Sequence, residues 1–212
     1  MASTRRGLPA FSFERFVFFS RAIRTGRALP SGDMQIMIEY AEIHADEAKQ
    51  QFGDICRLTI ACVADGASIG FIDASDGDAI VRFWLGALES LERGERRIWL
   101  ACHEGKVVGT VTLAQSMMPN GRHRAEVAKL MVHPQARRQG IARELMQRAE
   151  QAAWEKSLSL LVLDTRSGDP ATALYLSLGW QIAGEIPDYA QSTMGAFDAT
   201  TLMYKTAAPG IS

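Results

Sequence analysis

A basic loop connects a strand pattern that ends at His133-Pro134 with an amphipathic helix pattern that starts at Gly140. Backbone N–H groups at a helix N-terminus lack internal partners and carry partial positive charge, so they attract anions. Gly140 lets the backbone approach a ligand closely, and the small side chain of Ala142 leaves room for it. Three arginines add charge suited to a diphosphate: Arg137, Arg138 and Arg143. The spacing indicates an anion site, although a capped helix with solvated arginines fits the same pattern.

The sequence lacks the motifs of several other chemistries. No His-Glu-x-x-His or comparable ligand spacing occurs, so we predict no metal site. Neither Gly-x-x-x-x-Gly-Lys-Ser/Thr nor Gly-x-Gly-x-x-Gly is present, which argues against a nucleotide P-loop and a dinucleotide fold. The three cysteines, Cys56, Cys62 and Cys102, show no Cys-x-x-Cys spacing and predict buried, reduced thiols in a cytoplasmic protein.

The composition is that of an ordinary globular domain. Of the 212 residues, 47% are hydrophobic and 22% are charged, and the formal net charge is −1. This balance argues against a nucleic-acid partner, because a broad phosphate-binding surface needs clustered Lys and Arg. No apolar run approaches the ~18 residues that span a bilayer, so we predict no membrane association.

Residues 1–33 differ from the rest of the chain. They contain six arginines and five phenylalanines, with only Glu14 and Asp33 as acids. This Arg-rich, acid-poor composition resembles a transit peptide, and an over-extended start before a domain that begins at Met34 is the alternative. We expect residues 1–33 to be an extension outside the fold, either disordered or an artefact of the start site. One domain is expected over residues 34–206, with a short tail over residues 207–212.

The hydrophobic periodicity divides residues 34–206 into strands and helices. Strands are predicted at 34–43, 97–103, 107–117, 125–132, 158–164, 180–186 and 200–206. Helices are predicted at 44–65, 75–93, 140–156 and 169–179. A polar loop is expected between the last two strands. This order predicts one α+β domain with a mixed sheet.

Two segments resemble signatures of the GNAT superfamily of N-acetyltransferases. The sequence Arg137-x-x-Gly140-x-Ala142, which follows Val132-x-Pro134, is similar to the loop that binds the pyrophosphate of coenzyme A in that family. Residues 171–180 are similar to the family's A-x-x-L-Y-x-x-x-G-F helix and strand. The resemblance covers roughly residues 34–206. It implies a GNAT-like, mostly antiparallel central sheet of about seven strands flanked by about four helices, with acetyl-coenzyme A (acetyl-CoA) as co-substrate.

The resemblance also implies where the cofactor binds. Loop amides over residues 137–142 would hold the diphosphate, and pantetheine would lie along the strand that ends at Val132, where neighbouring strands separate. The implied cofactor-binding residues are Leu130, Met131, Val132, Arg137, Arg138, Gln139, Gly140, Ile141, Ala142 and Arg143. One position departs from the family, because many members carry Asn where this sequence has Gly168.

Tyr175 matches the tyrosine of the second signature, which implies that its hydroxyl protonates the departing thiolate. The alternative is a half-buried helix tyrosine whose hydroxyl acts as a structural tether. A free strand-edge N–H near Met131 or Val132 would suit the oxyanion that acetyl transfer creates.

Glu126 and Asp164 are the candidates for the general base. Glu126 lies in the strand that leads to the cofactor loop, and Asp164 ends an apolar strand pattern. Carboxylates at strand ends beside a cleft can take a proton, often through water. A charged strand terminus, or a salt bridge with Lys129 or Arg124, is the alternative, and the sequence leaves the two interpretations open.

Further segments resemble tabtoxin-resistance acetyltransferases: residues 67–71, 119–121, 124–132, 163–165 and 184–187. They imply direct transfer to a small amino compound, such as a toxin or antibiotic, in a ternary complex. A protein or peptide amine, or a non-catalytic acyl-CoA binding module, is the alternative. We expect specificity to reside in residues 68–71, 117–122 and 188–198, where Met117 and Met118 form either an adaptable wall or plain strand packing. The apolar last strands allow a homodimer.

Overall fold

The computed structural model describes residues 37–207. The expectations for residues 1–33, for the start of the first strand and for most of the tail lie outside this range. Four helices occur in it: α1 (Ala45–Ala64), α2 (Gly77–Glu92), α3 (Ile141–Glu155) and α4 (Ala171–Ser177). Its strands are β1 (Ile38–Ile43), β2 (Arg96–His103), β3 (Lys106–Gln115), β4 (Arg124–Val132), β5 (Leu160–Arg166), β6 (Gln181–Gln191) and β7 (Phe197–Thr206).

The strands form one sheet in the order β1-β2-β3-β4-β5-β7-β6. Strands β4 and β5 run parallel, and every other neighbouring pair is antiparallel. This arrangement confirms the predicted α+β fold with a mostly antiparallel, seven-stranded sheet and four helices.

Local signals explain where the first two helices begin and end. The His44 N–H donates to the Glu47 carboxylate at 2.9 Å at the start of α1, which satisfies an amide that the helix leaves free. Gly66, with φ +83°, ends α1, and the Ala67 N–H returns to the Cys62 carbonyl at 3.0 Å. The Asp76 carboxylate accepts the Ala79 N–H at 2.9 Å and caps α2.

The helices cover the two faces of the sheet unequally. Helix α3 packs on one face, in a core that also contains Tyr175 and Trp180. Helices α1 and α2 pack on the other face, against the half of the sheet that includes β2 and β3. On β5 that second face carries Val162, which is half-buried, and Asp164, which is exposed. The same region carries a groove over β3, β4 and β5, whose lining includes Ala114, Glu126 and Val162.

The last two strands are longer than the sequence pattern predicts. Strand β6 continues to Gln191 and β7 starts at Phe197, so the expected polar loop over residues 188–198 is mostly a hairpin. The prediction was wrong because the register shifts between Ile186 and Ala190, where Asp188 has φ +51°. A bulge of this kind breaks the apolar–polar alternation by which a strand is recognised.

Candidate active site

Strands β4 and β5 separate inside the sheet. They pair over only three residues, and the last pair is Glu126 with Val162. Strand β4 then runs on to Val132 with no β5 partner. Lys129, at φ +52°, interrupts the regular strand, and the pairing of β3 with β4 shifts register between Thr110 and Thr112. Such a bulge increases local twist and turns the end of β4 away from its neighbour. The structure thus has the strand separation that the resemblance implies.

The freed edge of β4 exposes backbone groups to the gap. The His133 N–H donates to the Val108 carbonyl at 2.8 Å, toward β3. Because peptide groups alternate along a strand, the N–H and C=O of Val132 point the other way. The Val132 carbonyl accordingly accepts Nε of Arg137 at 3.3 Å and the thiol of Cys62 at 3.6 Å. Alternation therefore favours Val132 over Met131 as the source of a free N–H for an oxyanion.

The loop that follows β4 has the geometry of an anion site. Gly140 precedes α3 with φ +79°, and Arg138 also has a left-handed φ, of +63°. No side chain caps the N-terminus of α3, so its first amides are available to a ligand. A Cβ placed on Gly140 would meet no atom within 4 Å, which means that the space beside the loop is open. These features fit the diphosphate of acetyl-CoA, with the amides of Gln139, Ile141 and Ala142 beside Gly140.

The three arginines of this loop have different surroundings. Arg137 forms an ion pair with Asp65 at 2.5 Å, at the C-terminal end of α1. Arg143 donates to Ser177 at 2.7 Å, which ties α3 to α4. Arg138 is exposed and has no hydrogen-bond partner in residues 37–207. Arg137 and Arg143 thus have protein partners in this structure, and their contribution to diphosphate binding, like that of Arg138, stays a prediction.

Tyr175 lies in the α3-side core, where only 7% of its surface is exposed. Its ring lies 6.2 Å from that of Trp180, centroid to centroid. Burial raises the pKa of its hydroxyl well above the ordinary value, and the negative charges of Asp169 and Asp164 raise it further. The hydroxyl makes no hydrogen bond to the described part of the chain, so the tether interpretation finds no support. The raised pKa keeps the phenol protonated at neutral pH, so a proton is present for transfer, and it also makes the hydroxyl a weaker acid.

Glu126 and Asp164 lie on the same face of the sheet. Glu126 pairs with Val162, and Asp164 is two residues further along β5, so both carboxylates share the face of Val162. Both are exposed, and Asp164 accepts a hydrogen bond from Thr200 at 3.2 Å. Within residues 37–207 neither forms an ion pair with Lys129 or Arg124, so the salt-bridge alternative is not realised. Both carboxylates remain available to take up a proton.

The loops around the groove are tied together by Arg166. Its guanidinium donates to the Gly66 carbonyl at 3.3 Å and to Asp169 at 3.3 Å, and it lies 3.7 Å from Asp198. The end of α1, the start of α4 and the start of β7 are therefore fixed relative to one another. Gly168 lies in this region with φ +79°, a backbone conformation that few other residues adopt as readily.

Met117 and Met118 follow β3 and are exposed, with 53% and 66% of their surfaces accessible. The interpretation of this pair as plain strand packing is therefore wrong. Exposed, flexible methionines beside a groove can form an adaptable wall for a ligand.

Arg96 and Lys129, on the same face of the sheet as Glu126, are not among the functional candidates that the sequence predicts. Arg96 donates to Thr112 at 3.0 Å, and the Lys129 ammonium lies 4.7 Å from the ring centre of Phe83. Burial lowers the pKa of both side chains. The one available signal was a lysine between Ala128 and Leu130 in an otherwise apolar stretch of strand.

Over residues 37–207, no group of three or more His, Cys, Asp or Glu side chains is placed to hold a metal ion. No helix in the same range is both long enough and apolar enough to cross a membrane.

A family model assigns the chain to a known class of proteins. The chain belongs to the acetyltransferase (GNAT) family, whose model matches residues 38–180. Among solved structures it is similar to the ribosomal-protein-alanine N-acetyltransferase of Brucella melitensis, with a TM-score of 0.66 and 21% identity over 80% of this chain and 99% of that one. It is also similar to yncA of Salmonella typhimurium, solved with its cofactor acetyl-CoA, with a TM-score of 0.65 and 19% identity over 82% and 98% of the two chains. At these low sequence identities, the structural similarity is evidence for a shared fold.

Curated relatives match over a shorter stretch. N-acetyltransferase 8F1 of Mus musculus is 39% identical over 90 residues, and N-acetyltransferase 8 of Rattus norvegicus is 37% identical over 91. Each match covers 41% of this chain and 40% of the relative, so less than half of each protein is compared.

Proposed function

We propose that this protein transfers an acetyl group from acetyl-CoA to the amine of a small acceptor, by direct attack in a ternary complex. The observation that carries the proposal is the release of β4 from β5 after Glu126, because the free strand edge leads directly to the uncapped N-terminus of α3. A pantetheine arm can continue the sheet along such an edge, and a diphosphate can meet the helix amides. Membership of the GNAT family supports the same cofactor.

Acetyl-CoA supplies an activated acetyl thioester, and the residues of this chain bind and polarise it. The N–H of Val132 is directed into the gap and would stabilise negative charge on the acetyl oxygen. Glu126 or Asp164 would take a proton from the acceptor ammonium through water, because both carboxylates lie on the open face. The protonated hydroxyl of Tyr175 would donate a proton to the departing thiolate.

More specifically, the proposed acceptor is a toxin or antibiotic of amino-acid type. It is supported by the resemblance of five segments to tabtoxin-resistance acetyltransferases. One of these segments, residues 67–71, forms a loop beside Lys129, since a Cβ on Gly70 would lie 3.5 Å from the Lys129 ammonium nitrogen. Transfer to a protein or peptide amine, non-catalytic acyl-CoA binding, and dimerisation through the last strands remain predictions of the sequence.

The experiment is a thiol-release assay on the full chain, with acetyl-CoA and a panel of amines that includes amino acids, aminated antibiotics and short peptides. The proposal predicts free coenzyme A in excess of the background when a small amine is added, with a matching acetylated product by mass spectrometry. Thiol release only when peptides are added would mean that the acceptor is a peptide rather than a small amine. Tight acetyl-CoA binding without release by any amine would make the protein a binding module.

A further inference from the structure

Two cationic side chains lie on the same face of the sheet as Glu126. Arg96 on β2 pairs with Ala114 on β3, and Ala114 pairs with Glu126 on β4, so the three residues form one row across the sheet. Lys129 is three residues further along β4, and its ammonium is directed to the ring of Phe83 on α2. The face of the sheet on which α2 packs thus carries two cations and two carboxylates.

Neither cation has a carboxylate partner in residues 37–207. Among the described residues, no carboxylate lies within 4.0 Å of the charged nitrogens of Arg96 or Lys129. Arg96 donates to Thr112 through one terminal nitrogen, while its Nε is buried and has no hydrogen-bond partner in residues 37–207. Lys129 makes no hydrogen bond to a described residue, and its ammonium lies near Gly70. Of the donors of these two cations, Arg96 Nε is thus the one that is buried and unsatisfied within the described part of the chain.

A partly buried cation destabilises the folded protein unless an anion pairs with it. Desolvation disfavours a charge, and native proteins satisfy nearly all of their buried polar atoms. Burial lowers the pKa of Arg96 and Lys129, and repulsion by Arg96 lowers the pKa of Lys129 further, while Glu126 raises the pKa of both groups and Asp164 raises that of Lys129. A bound anion would add to this partial compensation.

The acetyl-CoA site does not supply that anion. The loop at residues 137–142 is suited to the diphosphate, and it follows Val132 at the far end of the strand edge. The thioester end of acetyl-CoA carries no negative charge. An anion beside Arg96 and Lys129 must therefore belong to the acceptor.

We infer that Arg96 and Lys129 bind the carboxylate of the acceptor, and that the acceptor carries an amine and a carboxylate close together, as a free α-amino acid does. The inference rests on the proposed transferase function and adds a charged recognition site to it. The amine of such a molecule would face Glu126 and Asp164 while its carboxylate faces the two cations. Two cations and two carboxylates on one face, none of them in an ion pair within 4.0 Å among the described residues, are complementary to a zwitterion.

The experiment compares each proteinogenic L-amino acid with its own carboxamide in the thiol-release assay on the full chain. Each pair keeps the amine and the side chain and differs in the negative charge. We expect at least one amino acid to be acetylated, with kcat/KM roughly tenfold or more above that of its amide, because a charge-assisted hydrogen bond is lost. Tight acetyl-CoA binding, measured separately, shows that the cofactor site is intact.

Substitutions of Arg96 and Lys129 test whether these two cations cause the difference in kcat/KM between the amino acid and its amide. Lys129→Met and Arg96→Gln should bring the acid-to-amide ratio close to one while acetyl-CoA affinity is retained, and Arg96→Lys and Lys129→Arg should restore part of the ratio. Lys106→Met, an exposed lysine at the β2–β3 turn, is the matched control and should leave the ratio unchanged. A purely structural role would alter folding or turnover but not the ratio.

Amides acetylated as well as acids would overturn the inference, and so would turnover of amines that lack a carboxylate in preference to amino acids. Both outcomes leave the transferase function in place. If acetyl-CoA binds but no amine causes thiol release, the transferase function and this inference are both overturned. Absence of acetyl-CoA binding removes the cofactor site itself, so the separate failures can be told apart.

Discussion

Arg96 and Glu126 lie in one cross-strand row on the same face of the sheet, with only the small side chain of Ala114 between them. Neighbouring strands are about 4.8 Å apart, so the two backbones are separated by roughly 10 Å. The next pair in the row, Glu126 with Val162, is the last before β4 and β5 separate. The row therefore joins a cation, a carboxylate and the start of the strand gap, which places the proposed acceptor site beside the proposed cofactor edge.

Glu126→Gln tests the general base. We expect turnover to fall at least roughly tenfold with unchanged acetyl-CoA affinity, because the amide cannot take up the proton of the acceptor. Asp164→Asn is measured in parallel, and the larger loss identifies the base. Glu89→Gln, an exposed position on α2, is the control. If both Glu126→Gln and Asp164→Asn keep full turnover, neither carboxylate has this role.

Tyr175→Phe tests the proton donor. Turnover should fall about tenfold or more, while the free energy of unfolding changes by less than about 1 kcal/mol, since the hydroxyl makes no hydrogen bond to residues 37–207 that would be lost. Steady-state kinetics and chemical denaturation measure the two quantities. Tyr40→Phe on β1 is a control far from the gap. A large loss of stability at normal turnover would instead assign the hydroxyl a structural role.

The thiols should take no part in catalysis. Burial raises the pKa of Cys56 to about 11 and raises the pKa of Cys62 as well, so little thiolate forms at neutral pH. We expect slow alkylation by iodoacetamide, activity that survives the treatment, and no acetylated protein by intact mass spectrometry in the absence of acceptor. An acetyl-cysteine adduct that passes its acetyl group to an added amine would contradict direct transfer.

Lys129→Met tests whether the charge of Lys129 lowers the stability of the folded protein, as is expected of a charge that serves binding rather than folding. In the folded protein, burial and repulsion by Arg96 lower the pKa of Lys129, despite the nearby Glu126 and Asp164. A folded pKa below the unfolded one means that protonation favours the unfolded state. The variant should therefore be at least as stable as the parent at neutral pH, and this advantage should disappear as the pH rises and the parent loses the proton.

Denaturation curves at several pH values measure this difference, with Lys106→Met as the control. A clear loss of stability in Lys129→Met at neutral pH would show that the contact with Phe83 outweighs the desolvation of the charge.

The elements of the fold could be predicted where the determinants are local. The Asp76 cap, the helix-ending Gly66 and the strand–loop–helix around Gly140 depend on neighbours in the chain, and all three are present. The length of β6 and β7 could not be predicted, because a bulge after Ile186 interrupts their alternation.

The site was predictable only in part. The loop and Tyr175 stand in contiguous motifs, whereas the ion pair of Arg137 joins it to Asp65, 72 residues away. The proposed role of Arg96 and Lys129 depends on tertiary structure, because the two charges come onto one face only when β2 and β4 lie in one sheet with α2 packed on it. The sequence places Lys129 in a predicted strand and Arg96 one residue before another, where lone charges are common on solvated faces.

The cofactor site is tested most directly by calorimetric titration of acetyl-CoA into the full chain and into Gly140→Val. Gly105→Val is a matched control, because Gly105 has φ +75° and, like Gly140, no atom within 4 Å of an added Cβ, but lies in the turn between β2 and β3. We predict micromolar-range binding that weakens at least about tenfold in Gly140→Val and is unchanged in Gly105→Val. No binding by the folded parent, or equal binding by all three proteins, would contradict a cofactor site at the start of α3.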